Sequence, residues 1–138
     1  MGLTLLDAGV VIGYLNSADA RHGPATEALG DAIAANQSLA MPASVLAEVL
    51  VGPSRSGIAA VEVVRTMIAT LPIAVVPLGD EIAVAAAGLR ARHPSLKLPD
   101  ALVIATAEEE EGADKLLTTD RRWPSARHLG ISTKLQVM

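Results

Sequence analysis

The feature that most constrains this chain is a regular alternation of short apolar runs with longer stretches of helical period. Leu3–Leu6, Leu39–Met41, Ile73–Pro77 and Lys115–Thr118 read as strands, and apolar residues at helical spacing fill the intervals between them, as in Ala25, Ala28, Leu29, Ala32 and Ile33. Strands separated by helices cannot pair as tight hairpins and need crossover connections. The expected fold is therefore α/β, a central and mostly parallel sheet flanked by helices.

Punctuation residues set the expected boundaries. A short helix is expected over Val10–Leu15. The helix from Ala25 ends at Asn36-Gln37-Ser38. Pro42 opens a helix through Leu50 that Gly52-Pro53 should stop, and Ile58 to Ile68 forms the next. Asp80 is the expected N-cap of a helix reaching about Arg92, where His93-Pro94 ends it. Pro99 sits in the first turn of a helix reaching about Glu111, with Gly112 as its cap. His128–Thr133 is a candidate fifth strand. With no repeat, low-complexity tract or dividing linker, residues 1–138 read as one domain.

Composition narrows the chemistry. The chain is 51% hydrophobic but only 1% aromatic, with no Phe, so its core must be aliphatic. It has no Cys, which removes thiol catalysis and thiolate zinc sites and fits a reducing, cytoplasmic setting. Mean hydropathy is +0.41, yet no apolar run approaches the roughly 20 residues of a membrane span, and the start lacks the basic segment of a signal peptide. The net charge of −4 argues against bulk attraction to nucleic acid, so any such binding must rest on cations and arginines placed locally.

Four carboxylates stand out by position. Asp7 closes the first apolar run and Asp120 follows Leu116-Leu117-Thr118-Thr119, so both stand just past the ends of buried strands. In open α/β sheets, ligands gather there. Asp100 follows Pro99 in the first turn of a helix whose next residues, Ala101–Ala107, are apolar except for Thr106. Glu48 and Ser44 are the only polar residues of Ala43–Val51, four apart and so on one face. Each acid alone has an ordinary explanation: a helix cap for Asp7, the helix dipole for Asp100, a solvent-exposed edge for Glu48 and a turn for Asp120. Gathered in one cleft they would repel one another, and a hard cation, Mg²⁺ or Mn²⁺, would relieve the conflict.

The segments Leu-Leu-Asp7-Ala-Gly-Val-Val-Ile, Ser44-Val-Leu-Ala-Glu48-Val, Leu98-Pro-Asp100-Ala-Leu-Val-Ile-Ala-Thr-Ala and Leu-Leu-Thr-Thr-Asp120-Arg-Arg-Trp resemble the four signature segments of PIN domains. The nearest branch is the VapC toxins of type II toxin–antitoxin systems, and the resemblance spans essentially the whole chain. It implies a PIN-like three-layer fold and a Mg²⁺- or Mn²⁺-dependent endoribonuclease. Asp7, Glu48, Asp100 and Asp120 would be the catalytic and metal-binding quartet. RNA would be the substrate, a VapB-type antitoxin the partner and a homodimer the usual assembly. Three positions depart from the pattern: Ala8 and Gly9 replace the Thr or Ser, then Asn or Ser, that often follow the first acid, and Trp123 stands where Phe is commoner.

Thr118 or Thr119 is expected to donate a hydrogen bond near Asp120. Arg121, Arg122 and Arg55 are candidate phosphate contacts, with solvated surface charge as the plain alternative. Glu108–Glu111 reads as a solvated helix end, His93 as part of a helix stop, and His22 and His128 are assigned no role. Two other functions are compatible with an Asp-rich α/β domain: a phosphotransfer domain, which would want a second Asp where Gly9 stands, and a non-catalytic PIN-like binding module.

Overall fold

The computed structural model describes residues 2–138. Five strands form one fully parallel sheet: β1 (Leu3–Leu6), β2 (Ser38–Pro42), β3 (Ile73–Val76), β4 (Ala113–Thr118) and β5 (Lys134–Val137). Their order is β3-β2-β1-β4-β5. Between them run α1 (Ala8–Leu15), α2 (His22–Ala34), α3 (Ala43–Ser56), α4 (Ile58–Thr70), α5 (Asp80–Arg92), α6 (Leu98–Glu109) and α7 (Ala126–Leu129). The order places the first strand in the middle. The chain travels outward from β1 to β2 and β3, then returns past β1 to lay down β4 and β5. The switch point therefore falls between β1 and β4, and a crevice opens there beyond their C-terminal ends.

The core is aliphatic, as the composition requires. Leu5, Leu6, Leu116 and Leu117 of the two central strands are buried, as are Val10 and Val11 of α1 and Met41 of β2. Helix α6 is the most enclosed, with Ala101, Val103, Ile104, Ala105, Thr106 and Ala107 all buried. Thr106, its one polar residue there, donates its hydroxyl to the Leu102 carbonyl at 2.7 Å, which removes the penalty of burying it.

The structure corrects several expected boundaries. Helix α3 runs through Gly52-Pro53 to Ser56. A proline ring costs a helix one hydrogen bond and also crowds the Cβ of the residue before it; Gly52 has no Cβ, so that second penalty is absent. The break comes at Gly57, with φ 114°. The expected strand over His128–Thr133 is absent. Ser125 instead caps the short helix α7, accepting from the His128 N–H at 3.2 Å, and left-handed Gly130 closes it. The fifth strand is Lys134–Val137, an edge strand with no buried residue. Gly79 rather than Asp80 caps α5. Helix α6 stops at Glu109 with Glu110 as its C-cap, so Gly112 lies in the following turn. Glu108 is not simply solvated: its carboxylate accepts from the N–H groups of Ser132 (2.7 Å) and Thr133 (3.0 Å), tying the lead into β5 onto α6.

Candidate active site

Asp7 is fixed from both sides. As N-cap of α1 it accepts the Ala8 N–H at 2.8 Å, while the Thr118 hydroxyl donates to its other carboxylate oxygen at 2.8 Å. The same Thr118 oxygen accepts the Asp120 N–H at 3.1 Å. Fully buried Thr118 thus joins the end of β1 to the turn carrying Asp120. The Asp7 N–H donating to the Leu117 carbonyl (3.0 Å) completes the seam. Of the two threonines expected near Asp120, Thr118 makes the bonds. Thr119 lies beside α1, where a Cβ on Gly9 would collide with its hydroxyl.

The other acids converge on the same strand ends. Asp100 is half-buried in the first turn of α6, and Glu48 is exposed on α3. Their electrostatics show the proximity. Burial pushes the Asp7 carboxyl above its ordinary value, and the charge of Asp120 adds to this. Asp100 is raised by burial and by the charges of Asp7 and Asp120. Glu48, though exposed as a residue, has its carboxyl partly screened from water, and this together with the charges of Asp7 and Asp100 raises it. Asp120 moves the other way, because Arg122 holds it below the usual carboxylate range. The Arg122 N–H donates to Asp120 at 2.9 Å, and its Nε and Nη2 each reach the carboxylate at 3.2 Å.

The four acids influence one another, yet among the described residues no three His, Cys, Asp or Glu side chains close into a ready-made metal cage. The Arg122 pair gives a physical reason, since one of the four acids is turned to an internal cation. The donor chemistry itself, oxygen ligands only, fits Mg²⁺ or Mn²⁺.

A cleft of about 170 Å³ runs off one side of the cluster, lined by Lys97, Asp100, Asp120, Arg122 and Trp123 among others. Lys97 escaped the sequence reading. Its position three residues before Asp100, at the entry to α6, was the available signal. The buried Trp123 Nε1 has no hydrogen-bond partner; it lies near enough to Asp100 to lower that carboxyl slightly, but not in hydrogen-bonding geometry. On the other side Glu48 borders an apolar groove of about 320 Å³ with Ile12, Val49, Pro53 and Val64. A cavity of about 560 Å³ lies at the opposite edge of the sheet, where β2 and β3 begin, and no titratable residue lines it.

Of the three arginines expected to meet phosphate, only Arg122 joins the cluster. Arg121 is exposed and has no ion pair or side-chain hydrogen bond among the described residues. Arg55 lies in the last turn of α3, roughly 10 Å along the helix from Glu48. His22, assigned no role from sequence, pairs through Nδ1 with the Gly13 carbonyl at 3.0 Å, which requires the proton on Nδ1.

The PIN domain family model matches residues 4–129. The chain belongs to the PIN domain family. Solved structures with the same fold include a toxin–antitoxin complex from Klebsiella pneumoniae, 25% identical with a TM-score of 0.65, covering 86% of this chain and 88% of that one. VapBC2 from Rickettsia felis, solved bound to a DNA fragment from its promoter, is 17% identical with a TM-score of 0.68, covering 99% and 98%. Mycobacterium tuberculosis VapC20, a Sarcin-Ricin loop cleaving toxin, is 20% identical with a TM-score of 0.67, covering 86% and 91%. No curated protein sequence matches significantly. One departure from the PIN pattern after the first acid, Gly9, has a structural counterpart here: the space a side chain there would fill is taken by Thr119 and Arg21. Among the described residues of this PIN domain, no helix is long and apolar enough to cross a membrane.

Proposed function

We propose that this PIN domain is a metal-dependent endoribonuclease, the VapC-type toxin of a toxin–antitoxin pair. The observation that carries the reading is the gathering of Asp7, Glu48, Asp100 and Asp120 at the switch point of the sheet, where burial and the charges of neighbouring carboxylates raise Asp7, Glu48 and Asp100. Acids held together against their own repulsion are characteristic of sites built for a cation or a proton transfer.

Asp7, Asp100 and Asp120 would hold Mg²⁺ or Mn²⁺, with Glu48 as a further ligand or the group that orients water. When bound, the metal supplies an acidified water and stabilises charge on the phosphodiester. Hydroxide adds to phosphorus in line as the P–O bond breaks, and the proton ends on the departing oxygen. Thr118 keeps Asp7 and the Asp120 turn in register. Arg122 would exchange its bond to Asp120 for a phosphate oxygen.

The assembly expected is a homodimer restrained by a VapB-type antitoxin, in a cytoplasmic setting. Support for the partner comes from the toxin–antitoxin complexes that share the fold. The experiment is Mn²⁺-dependent cleavage of RNA by the purified protein beside its Asp7→Asn and Asp100→Asn variants. Unchanged cleavage in either variant would remove that residue from the site.

A non-catalytic binding module is the second reading, and the Asp120–Arg122 pair favours it by neutralising one acid without a metal. Calorimetric titration with Mn²⁺ separates the two: a binding module shows no carboxylate-dependent site.

A further inference from the structure

The Asp120–Arg122 arrangement has a twin. In the α1–α2 connection, Arg21 donates its backbone N–H to Asp19 Oδ1 (2.8 Å), its Nε to the same oxygen (2.9 Å) and its Nη2 to Oδ2 (2.7 Å). The pattern repeats that of Arg122 on Asp120 atom for atom, but with shorter bonds. The two aspartates differ in duty. Asp120 belongs to the acid cluster, whereas Asp19 stands outside it and serves Arg21 alone.

Helix α1 is shaped to receive this arginine. Gly9 and Gly13 lie four apart and so form one face. A Cβ on Gly13 would come within 3.1 Å of the Arg21 Cβ, and one on Gly9 within 2.8 Å of its Nη1. The side chain therefore lies back along α1 toward the end that carries Asp7. Among the described residues its Nη1 has no hydrogen-bond partner, and it shares the space beside Gly9 with the Thr119 hydroxyl, between the segments that follow β1 and β4. The turn is pinned as well: the His22 N–H donates to the Asp19 carbonyl (3.0 Å), and the His22 ring pairs with the Gly13 carbonyl (3.0 Å).

We infer that Arg21 is a preset phosphodiester contact of the substrate strand, held by Asp19 and delivered along the Gly9/Gly13 face to the rim of the acid cluster. The inference rests on the nuclease reading above. A guanidinium fixed on one edge and open on the other offers a planar donor to phosphate with little ordering left to do. In a chain with net charge −4, a local contact of this kind is what an anionic strand requires. Arg21 is only partly exposed, with 42% of its side chain open to solvent, in contrast to 82% for Arg122.

The test uses Arg21→Gln, Arg21→Lys and Asp19→Asn in the full chain, with a fluorescent single-stranded RNA as the probe. Cleavage kinetics with Mn²⁺, anisotropy binding across a salt series and calorimetric Mn²⁺ affinity are measured for each. For Arg21→Gln we expect KM and Kd to rise about tenfold, kcat to stay within about twofold, and the salt slope of binding to fall by about one. Mn²⁺ affinity should not change. Arg21→Lys keeps the charge without the fork and should fall between. Asp19→Asn keeps the guanidinium but frees it, and should raise KM about threefold with the salt slope intact. Should Arg21→Gln fold poorly by circular dichroism, the Lys and Asn variants decide alone. Wild-type KM and salt slope in the variants would overturn the role of Arg21 while leaving the nuclease reading in place. A wild-type protein that binds Mn²⁺ but neither binds nor cleaves RNA would overturn both.

Discussion

Three of the four clustered carboxylates and the fourth respond to their surroundings in opposite ways. Among the described residues Asp7, Glu48 and Asp100 have no cation bonded to them, and burial and the charges of neighbouring carboxylates raise their pKa values. Asp120 is held ionised by Arg122. The difference teaches that charge compensation in this cleft is only partly internal: one acid of the four is bonded to a cation of the chain, and the other three are not, although the Lys97 charge lies near Asp100. On the proposed nuclease reading those three would attract a cation, and Asp120 would exchange its arginine for the metal.

The largest break in this contrast should come from Asp100→Asn. Removing one of the uncompensated acids should lower Mn²⁺-dependent RNA cleavage by at least about 100-fold, measured as single-turnover rates. The same change should raise the melting temperature of the metal-free protein, because it relieves repulsion.

Thr118→Val comes next. It leaves Asp7 short of a hydrogen bond and frees the Asp120 N–H. Cleavage should fall about 10- to 100-fold, and the melting temperature should drop by several degrees.

Metal-free melting against pH sharpens the comparison further. A carboxyl whose folded pKa lies above its unfolded value binds its proton more tightly when folded. Its contribution favours the fold at low pH and is lost as pH rises through the raised value. Asp7, Glu48 and Asp100 should therefore make the metal-free protein lose stability from about pH 4 toward neutrality. Asp120 is lowered, so its contribution is present above the ordinary Asp range and lost only on strong acidification. Saturating Mn²⁺ should abolish the loss near neutrality, a difference of roughly 3–5 °C at pH 7. A flat profile without metal would mean that the three acids are not coupled.

Arg122→Gln should have the smallest effect. Exposed ion pairs are weak, so freeing Asp120 should tighten Mn²⁺ binding by only about threefold in a calorimetric titration. Weaker Mn²⁺ binding would show that Arg122 positions Asp120 rather than competing for it.

Much of this arrangement was legible in the sequence. The period of apolar residues located four strands, and with them the strand ends where Asp7 and Asp120 emerge. It failed where local chemistry outweighed pattern. Gly52-Pro53 looks like a stop, but a glycine before proline lifts part of the usual crowding, and α3 continues. Ser125 and Gly130 bracket a helix too short to show a period, which shifted β5 by several residues. Within the cleft, the placement of Asp7, Glu48, Asp100 and Asp120 was readable because each punctuates an apolar segment. The pairing of Arg122 with Asp120, the bridging by Thr118 and the path of Arg21 were not, because they depend on side-chain directions that linear spacing does not encode. Gly9 is the clearest case. In the sequence it reads as a missing hydroxyl, whereas in space it makes room for Thr119 and Arg21.

The position of β1 at the centre of the sheet has a consequence for how the protein is made. Thr118 grips Asp7 across 111 residues of chain, so β1 waits on one flank for a neighbour synthesised near the end. During translation the acids appear singly, and the cleft closes only once β4 leaves the ribosome. A prematurely terminated product lacking β4 would carry Asp7, Glu48 and Asp100 but no assembled centre. For a chain proposed to cut RNA, incomplete synthesis would then be harmless to the cell that makes it.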